Sequence, residues 1–280
     1  MSDVATRVAA VIVDFHSGET LTACVESLRS NGVEALAVVN NGTPGSTAID
    51  HQPGVIVIEP RVNLGYGRGV NRGAAALRNH ELLLVSNPDV VVHDDAVAHL
   101  VRYLDEHPAV GLVGPQILTT SGEIYPSVRV FPNPVLAALH AVTAPWWPSN
   151  PWSARYRSPA RNGRVDWVSG AFFLVRREIF EAVGGFDESY FMFAEDMDLC
   201  WRVTASGAEI GACDRSVVTH VEGLSRQREP RAMTIAHHRS AMHFEWQTAR
   251  GLRRLLAPLA ISLLALRLGV VLLRPQSATS

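Results

Sequence analysis

The stretch YFMFAEDMDLCWR, Tyr190 to Arg202, sets Glu195, Asp196 and Asp198 within four positions, directly behind a run of aromatics and methionine. Like charges repel, and apolar neighbours make each charge costlier still. A carboxylate beside Phe191, Met192 and Phe193 has a raised proton affinity, which suits it to take a proton from a hydroxyl. The same residues read as a helix from about Asp196 to Ser206, closed by Gly207. Acids in a first helical turn are favoured by the macrodipole, and Asp198 can pair with Arg202 at i+4. Helix-start chemistry therefore accounts for Asp198 and leaves Glu195 and Asp196 to be explained.

A second group of oxygen donors lies in SNPDV, Ser86 to Val90, just after the apolar run ELLLV. Asn87 and Asp89 sit at i and i+2, on one side of an extended segment. Such a pair can hold a hard divalent cation with diphosphate oxygens completing its shell. A plain Asn-Pro-Asp turn is the alternative. His220 follows the β-like run SVVT and reads either as a metal ligand or as a strand-end histidine. GYGRGVNRG, Gly65 to Gly73, offers a glycine-rich turn before a helix, with Asn63 and Asn71 as polar handles. It is not a dinucleotide fingerprint, because Val70 and Arg72 hold the third glycine positions; a Walker lysine is excluded in a chain without Lys.

These residues need elements to position them. VAAVIVDF reads as a buried parallel strand, LTACVESLRSNG as a helix ending at Gly32, ALAVVNNG and VIVIEP as strands. GVNRGAAALRNH reads as a second helix and ELLLVSNPDVVV as a fourth strand. The alternation predicts a doubly wound parallel sheet, whose ligands bind at the carboxyl ends of strands. NNGTPG, NLGYGRG and SNPD all fall there. From about Val113 the chain becomes rich in Pro, Trp and Arg and reads as a loop-heavy insertion. DWVSGAFFLVRREIFEAVGGF then returns to strand and helix.

The totals bound the class. At 280 residues the chain can bury a sizeable core. Cys24, Cys200 and Cys213 are odd in number and lack CxxC spacing, so a reducing cytosol is expected rather than a disulfide framework or zinc site. The N-terminus has no charged stretch followed by an apolar core, and export is not expected. Residues 1–223 hold 16 Arg against 25 Asp and Glu, whereas residues 224–280 hold 9 Arg against Glu229 and Glu245. A basic tail points to an anionic partner. Within it, Leu255–Leu273 is nearly all apolar, flanked by Arg253, Arg254 and Arg274 and interrupted by Arg267. A helix lying in the membrane interface, with arginines reaching head groups, is the expectation; a true span and an oligomer-forming helix stay open. A nucleic-acid partner is not expected, since the tail lacks interleaved stacking aromatics.

WVSGAFFLVRREIF followed by GGFDESYFMFAEDMDLCWR resembles the signature of family 2 inverting glycosyltransferases of the GT-A fold. NLGYGRGVNRG and SNPDV resemble the same family's donor-side motifs, in the same order, from about Val8 to about His243. IYPSVR and the insertion PWWPSNPWSARYR are similar to members that transfer rhamnose in building the actinobacterial cell-wall linker. The resemblance implies an α/β GT-A architecture, Rossmann-like, with a mostly parallel sheet flanked by helices and a C-terminal helical tail. It divides the chain into a nucleotide-sugar half (1–115), an acceptor-binding and catalytic half (116–235) and a membrane-associating tail (236–280). It places Asp196 at the catalytic base, with Glu195 beside it helping to place the acceptor. Asp89 and His220 become ligands of Mg²⁺ or Mn²⁺. Asn87 stands where the family carries an acid, and Asn40 where it carries the aspartate of the base pocket; Asn41 and Gly42 fit, and Asn63, Gly65 and Asn71 fall on the donor side. The implied partners are dTDP-L-rhamnose and a polyprenyl-diphosphate-linked N-acetylglucosamine at the cytoplasmic membrane face, with a homo-oligomer left open. Transfer of another sugar from a UDP donor, or a non-catalytic sugar-nucleotide-binding scaffold, are the alternatives.

Overall fold

A computed structural model describes residues 2–45, 47, 49, 52–131, 143, 147, 149–151, 165–221 and 230–273. Most of PWWPSNPWSARYR, and Arg274, lie outside the described residues. The first half runs α1 (Ser2–Arg7), β1 (Val8–Asp14), α2 (Glu19–Ser30), β2 (Ala35–Asn40), β3 (Val55–Ile58), α3 (Tyr66–Ala76), β4 (Leu82–Ser86), β5 (Val90–Val92), α4 (Ala96–Glu106) and β6 (Val110–Leu118). Then come β7 (Ile124–Tyr125), β8 (Val128–Arg129), β9 (Trp167–Val168), β10 (Phe172–Arg176), α5 (Arg177–Ala182), α6 (Glu195–Ala205), β11 (Glu209–His220), α7 (Pro230–Thr248) and α8 (Gly251–Leu273).

The apolar run of β1 is buried at every position because helices cover both faces of the sheet. Val8, Ala10 and Ile12 point into one core with Leu21, Val25 and Leu28 of α2 and Val97 and Leu100 of α4. Ala9, Val11 and Val13 point into the other, with Val70 and Ala74 of α3 and Leu199 and Val203 of α6. Helix α3 lies unusually close to the sheet: a Cβ on Gly73 would come within 2.5 Å of Val11 Cγ1. Glycine in GYGRGVNRG therefore serves close helix–strand packing.

The strand order is β3-β2-β1-β4-β10-β6-β11-β5, with β7 paired to β6. Strands β3, β2, β1 and β4 are parallel, as expected. The sheet as a whole is mixed, which corrects the expectation of a mostly parallel one. Strand β10 starts where β4 ends, Phe172 opposite Ser86, and runs back along it antiparallel. A strand entering at the carboxyl edge without a crossover helix has no other direction available. ELLLVSNPDVVV is two strands rather than one. Asn87-Pro88-Asp89 breaks it, and β5 leaves for the far edge to pair antiparallel with β11. PQIL, within the region read as a loop-heavy insertion, continues β6, paired with β11 along its length and with β7 at its end. β6 crosses residue 115, so one sheet serves both halves of the chain. β8 and β9 form a separate two-stranded ladder.

Candidate active site

The site assembles around two consecutive residues that enter β10. The Gly170 N–H donates to Asp196 Oδ2 at 2.8 Å, and the Ala171 carbonyl accepts from the Asn87 N–H at 2.8 Å. The acidic helix start and the Asn-Pro-Asp turn, 109 positions apart in their Asn87 and Asp196, are thus fastened to adjacent residues. Gly170 admits no side chain comfortably: its Cβ would fall 3.1 Å from Asp196 Cβ. Tyr66, at the start of α3, donates its hydroxyl to the Gly170 carbonyl at 2.5 Å. Burial, then the charges of Glu195, Asp196 and Asp89, hold that phenol well above its ordinary range, so it stays a donor.

Asp196 Oδ1 accepts from the Met197 N–H at 2.8 Å, so each carboxylate oxygen has a backbone donor. Burial pushes its proton affinity up while those donors pull it down. Glu195 is 7% exposed, and its Oε2 is buried with no hydrogen-bond partner among the described residues. Burial first and the Asp196 charge second raise its pKa to about 8. Of this coupled pair, the member with two N–H donors is the one that holds the negative charge near neutrality. Asp198 is buried and bound to Arg202 at 2.7 Å; Arg202 also donates to the carbonyls of Val183 and Gly185. The i+4 pair expected from the spacing is present, and it fastens α6 to the turn after α5.

At the Asn-Pro-Asp turn, His220 Nε2 lies 3.1 Å from Asp89 Oδ1 and 3.3 Å from Asn87 Nδ2. The Asp89 carbonyl accepts from the Val221 N–H at 2.9 Å, which ties the turn to the end of β11. No group of three or more His, Cys, Asp or Glu side chains is arranged to hold a metal among the described residues. One carboxylate and one imidazole form a half-shell, and that half-shell fits a cation whose other ligands arrive with a diphosphate.

Asn40, Asn41, Gly42, Asn63, Gly65 and Asn71, expected on the donor side, are engaged with the chain itself. The Asn40 amide donates to the Thr43 carbonyl at 3.0 Å and to Glu59 at 3.2 Å, and its oxygen accepts from Gly42 N–H at 3.0 Å. Asn41 donates to the Gly65 carbonyl at 2.9 Å, and Asn63 accepts from Gly65 N–H at 2.8 Å. Asn71 bonds both the N–H and the carbonyl of Phe186 at 2.9 Å. They shape the loops at the strand ends. Two residues escaped the sequence reading. Asp14, 2% exposed at the end of β1, accepts from the Ser17 N–H at 3.1 Å; its place at a parallel strand's carboxyl end was the available signal. Tyr66 lay inside a motif read for its glycines.

The family described as "Glycosyltransferase like family 2" matches residues 5–242. The chain belongs to this family of glycosyltransferases. The transferase is 34% identical over 260 residues to the N-acetylglucosaminyl-diphospho-decaprenol L-rhamnosyltransferase of Mycobacterium tuberculosis, covering 87% of this chain and 84% of the relative. In fold it is similar to GalNAc-T7 with UDP, GalNAc and Mn²⁺ (TM-score 0.58, 15% identity, 78% of this chain and 43% of that one). It is also similar to the mannosyltransferase PcManGT from Pyrobaculum calidifontis with GDP-Man and Mn²⁺ (TM-score 0.56, 15% identity, 96% and 76%). Both likenesses show a glycosyltransferase-like α/β fold, to which this chain adds the C-terminal helical region of α7 and α8. Cys24, Cys200 and Cys213 are free and buried.

Proposed function

We propose that the transferase moves L-rhamnose from dTDP-L-rhamnose, with inversion, to a polyprenyl-diphosphate-linked N-acetylglucosamine at the cytoplasmic face of the cell membrane. The observation that carries the mechanism is the grip of Gly170 and Ala171 on Asp196 and Asn87 together. The substrates follow the name of the mycobacterial relative, matched over most of both chains.

Asp196 takes the proton of the acceptor hydroxyl, and its two backbone donors hold the carboxylate in one orientation while it does so. Glu195 keeps its own proton near neutrality, which spares Asp196 a like charge alongside and leaves an O–H to donate towards the acceptor. Asp89 and His220 would hold Mg²⁺ or Mn²⁺, with Asn87 beside them. When bound, such an ion neutralises the charge that develops on the departing diphosphate. Asn40, Asn41, Gly42, Asn63, Gly65 and Asn71 shape the donor-side loops, and Asp14 lies at their base. Phe191, 46% exposed, offers an apolar face to a sugar ring.

Helix α8 is 23 residues long and apolar enough to cross a membrane by length and composition. Leu252, Leu255, Leu256, Leu259, Leu266 and Leu273 are all exposed. Arg253 pairs with Glu245 at 2.6 Å, and Arg254 lies 3.8 Å over the Trp246 ring. The helix lies in the interface, where its exposed leucines meet acyl chains and the basic residues meet anionic head groups.

The test is transfer of radiolabelled sugar from dTDP-rhamnose to a short polyprenyl-diphosphate-N-acetylglucosamine, with and without Mg²⁺. Metal-dependent product is expected. Turnover of UDP-sugars in its place would overturn the donor, and silence with every donor would leave a sugar-nucleotide-binding scaffold.

A further inference from the structure

The mechanism leaves one cation beside the base without a task. Arg129, in β8, stacks its guanidinium over the Trp167 ring of β9 at 5.3 Å. Its Nε–H donates to the Pro126 carbonyl at 2.7 Å, which sets the plane of the group. Its two terminal nitrogens have no hydrogen-bond partner among the described residues. The Asp166 N–H donates to the Arg129 carbonyl at 2.9 Å and pins the strand beneath. The Trp167 Nε1–H is buried with no acceptor among the described residues. Arg129 is also the nearby cation that pulls the Asp196 pKa down against burial. The shelf therefore presents a stacked, half-buried guanidinium whose terminal nitrogens are not taken up among the described residues: the chemistry of a site for phosphate oxygens.

Position along the chain decides which phosphates. Trp167, Gly170 and Ala171 follow one another on one segment, and they touch, in order, Arg129, Asp196 and Asn87. Along that segment the contact with the base falls between the contact with Arg129 and the contact with Asn87. In an inverting displacement the nucleophile approaches opposite the leaving diphosphate. An anion carried by the acceptor then lies on the far side of the base from the metal pair. We infer that Arg129, stacked on Trp167, binds the diphosphate of the lipid-linked acceptor and so selects acceptors that carry one. The inference rests on the transferase reading above. The segment IYPSVR gains a task at each end: Tyr125 meets His220 edge-on at 6.5 Å, and Arg129 forms the shelf.

The experiment compares two acceptors of the same sugar, a farnesyl-diphosphate-N-acetylglucosamine and a neutral alkyl N-acetylglucosaminide, using wild type, Arg129→Gln and Arg129→Lys. With the diphosphate acceptor, Arg129→Gln is expected to raise KM about tenfold or more, the loss of one charge-assisted contact. Its affinity for dTDP is expected to stay within about threefold of wild type on the same scale. With the neutral acceptor, wild type and Arg129→Gln are expected to have the same KM, and Arg129→Lys recovers part of the loss only with the diphosphate. An equal effect on both acceptors would reduce Arg129 to a structural role and overturn the inference. A weakened dTDP affinity would overturn it by moving Arg129 to the donor. No transfer by wild type with either acceptor overturns the function itself; transfer with an unchanged Arg129→Gln overturns only this site.

Discussion

At the residue scale, Glu195 and Asp196 are adjacent in sequence and opposite in surroundings. Two N–H groups aim at Asp196, while Glu195 has a buried oxygen with no partner among the described residues. Asp196→Asn is expected to lower kcat by about 10²–10⁴-fold, the range for removal of a general base, with dTDP affinity retained. Retained turnover in a stopped-time transfer assay would remove the base assignment. Glu195 makes a separate prediction in stability. Its pKa rises from 4.5 to about 8 on folding, so the native state binds the proton more tightly than the unfolded chain. Its contribution is therefore fullest below the ordinary carboxylate range and is lost as pH rises through about 8. Wild type should lose Tm from pH 5 to pH 8, and Glu195→Gln should flatten that slope. A parallel decline in both would assign the pH dependence elsewhere.

At the element scale, the site depends on how α3, α6 and α7 grip the 187–194 loop. Gly65, with φ of 79°, lets the backbone reach Phe191, whose carbonyl accepts from Tyr66 N–H at 3.0 Å. A Cβ there would stand 2.2 Å from that carbonyl oxygen. Gly65→Ala is expected to destabilise by on the order of 1–3 kcal/mol, read by denaturant midpoint, with loss of transfer beyond what stability explains. Helix α7 closes the loop from outside: Ser240 donates to the Met192 carbonyl at 2.7 Å, and His243 lies 2.7 Å from the Ser189 hydroxyl. The Asp198–Arg202 pair is the buried counterpart. Asp198→Ala leaves the guanidinium without its carboxylate and is expected to cost about 3–5 kcal/mol; a midpoint near wild type would contradict that.

At the scale of the whole molecule, the sheet carries the acidic body and the α7–α8 hairpin carries apolar and basic surface. Leu255, Leu259 and Leu266 are 76%, 61% and 66% exposed, too open to contribute much to folding. Replacing all three with Gln should leave thermal unfolding nearly unchanged. Partition onto vesicles containing anionic lipid should fall by roughly 100-fold or more, since each buried leucine is worth about 1.5–3 kcal/mol. Unchanged sedimentation with vesicles would refute the interfacial placement of α8. The same variant should still turn over a water-soluble acceptor, because the site residues lie on the sheet and on α3 and α6.

The sequence by itself determined the local elements and the chemistry-bearing residue types. Unbroken apolar runs such as VAAVIVD demand burial on both faces, and the acids of EDMD announce a helix start next to an apolar wall. Both are short-range consequences of side-chain type and spacing. Direction and pairing were decided only in tertiary structure. Nothing in FFLVR says that it will run antiparallel to β4, and nothing in VVV says that it will leave for the far edge, since strand partners are chosen by long-range packing. The asparagines were legible as polar residues at strand ends, but their partners, Gly65, Phe186 and Thr43, come from loop paths that no local pattern encodes. The grip of Gly170 and Ala171 belongs to the same class. It depends on where the chain re-enters the sheet after β9, and so the distance between Asp196 and the Asp89–His220 pair is a property of the fold rather than of either motif.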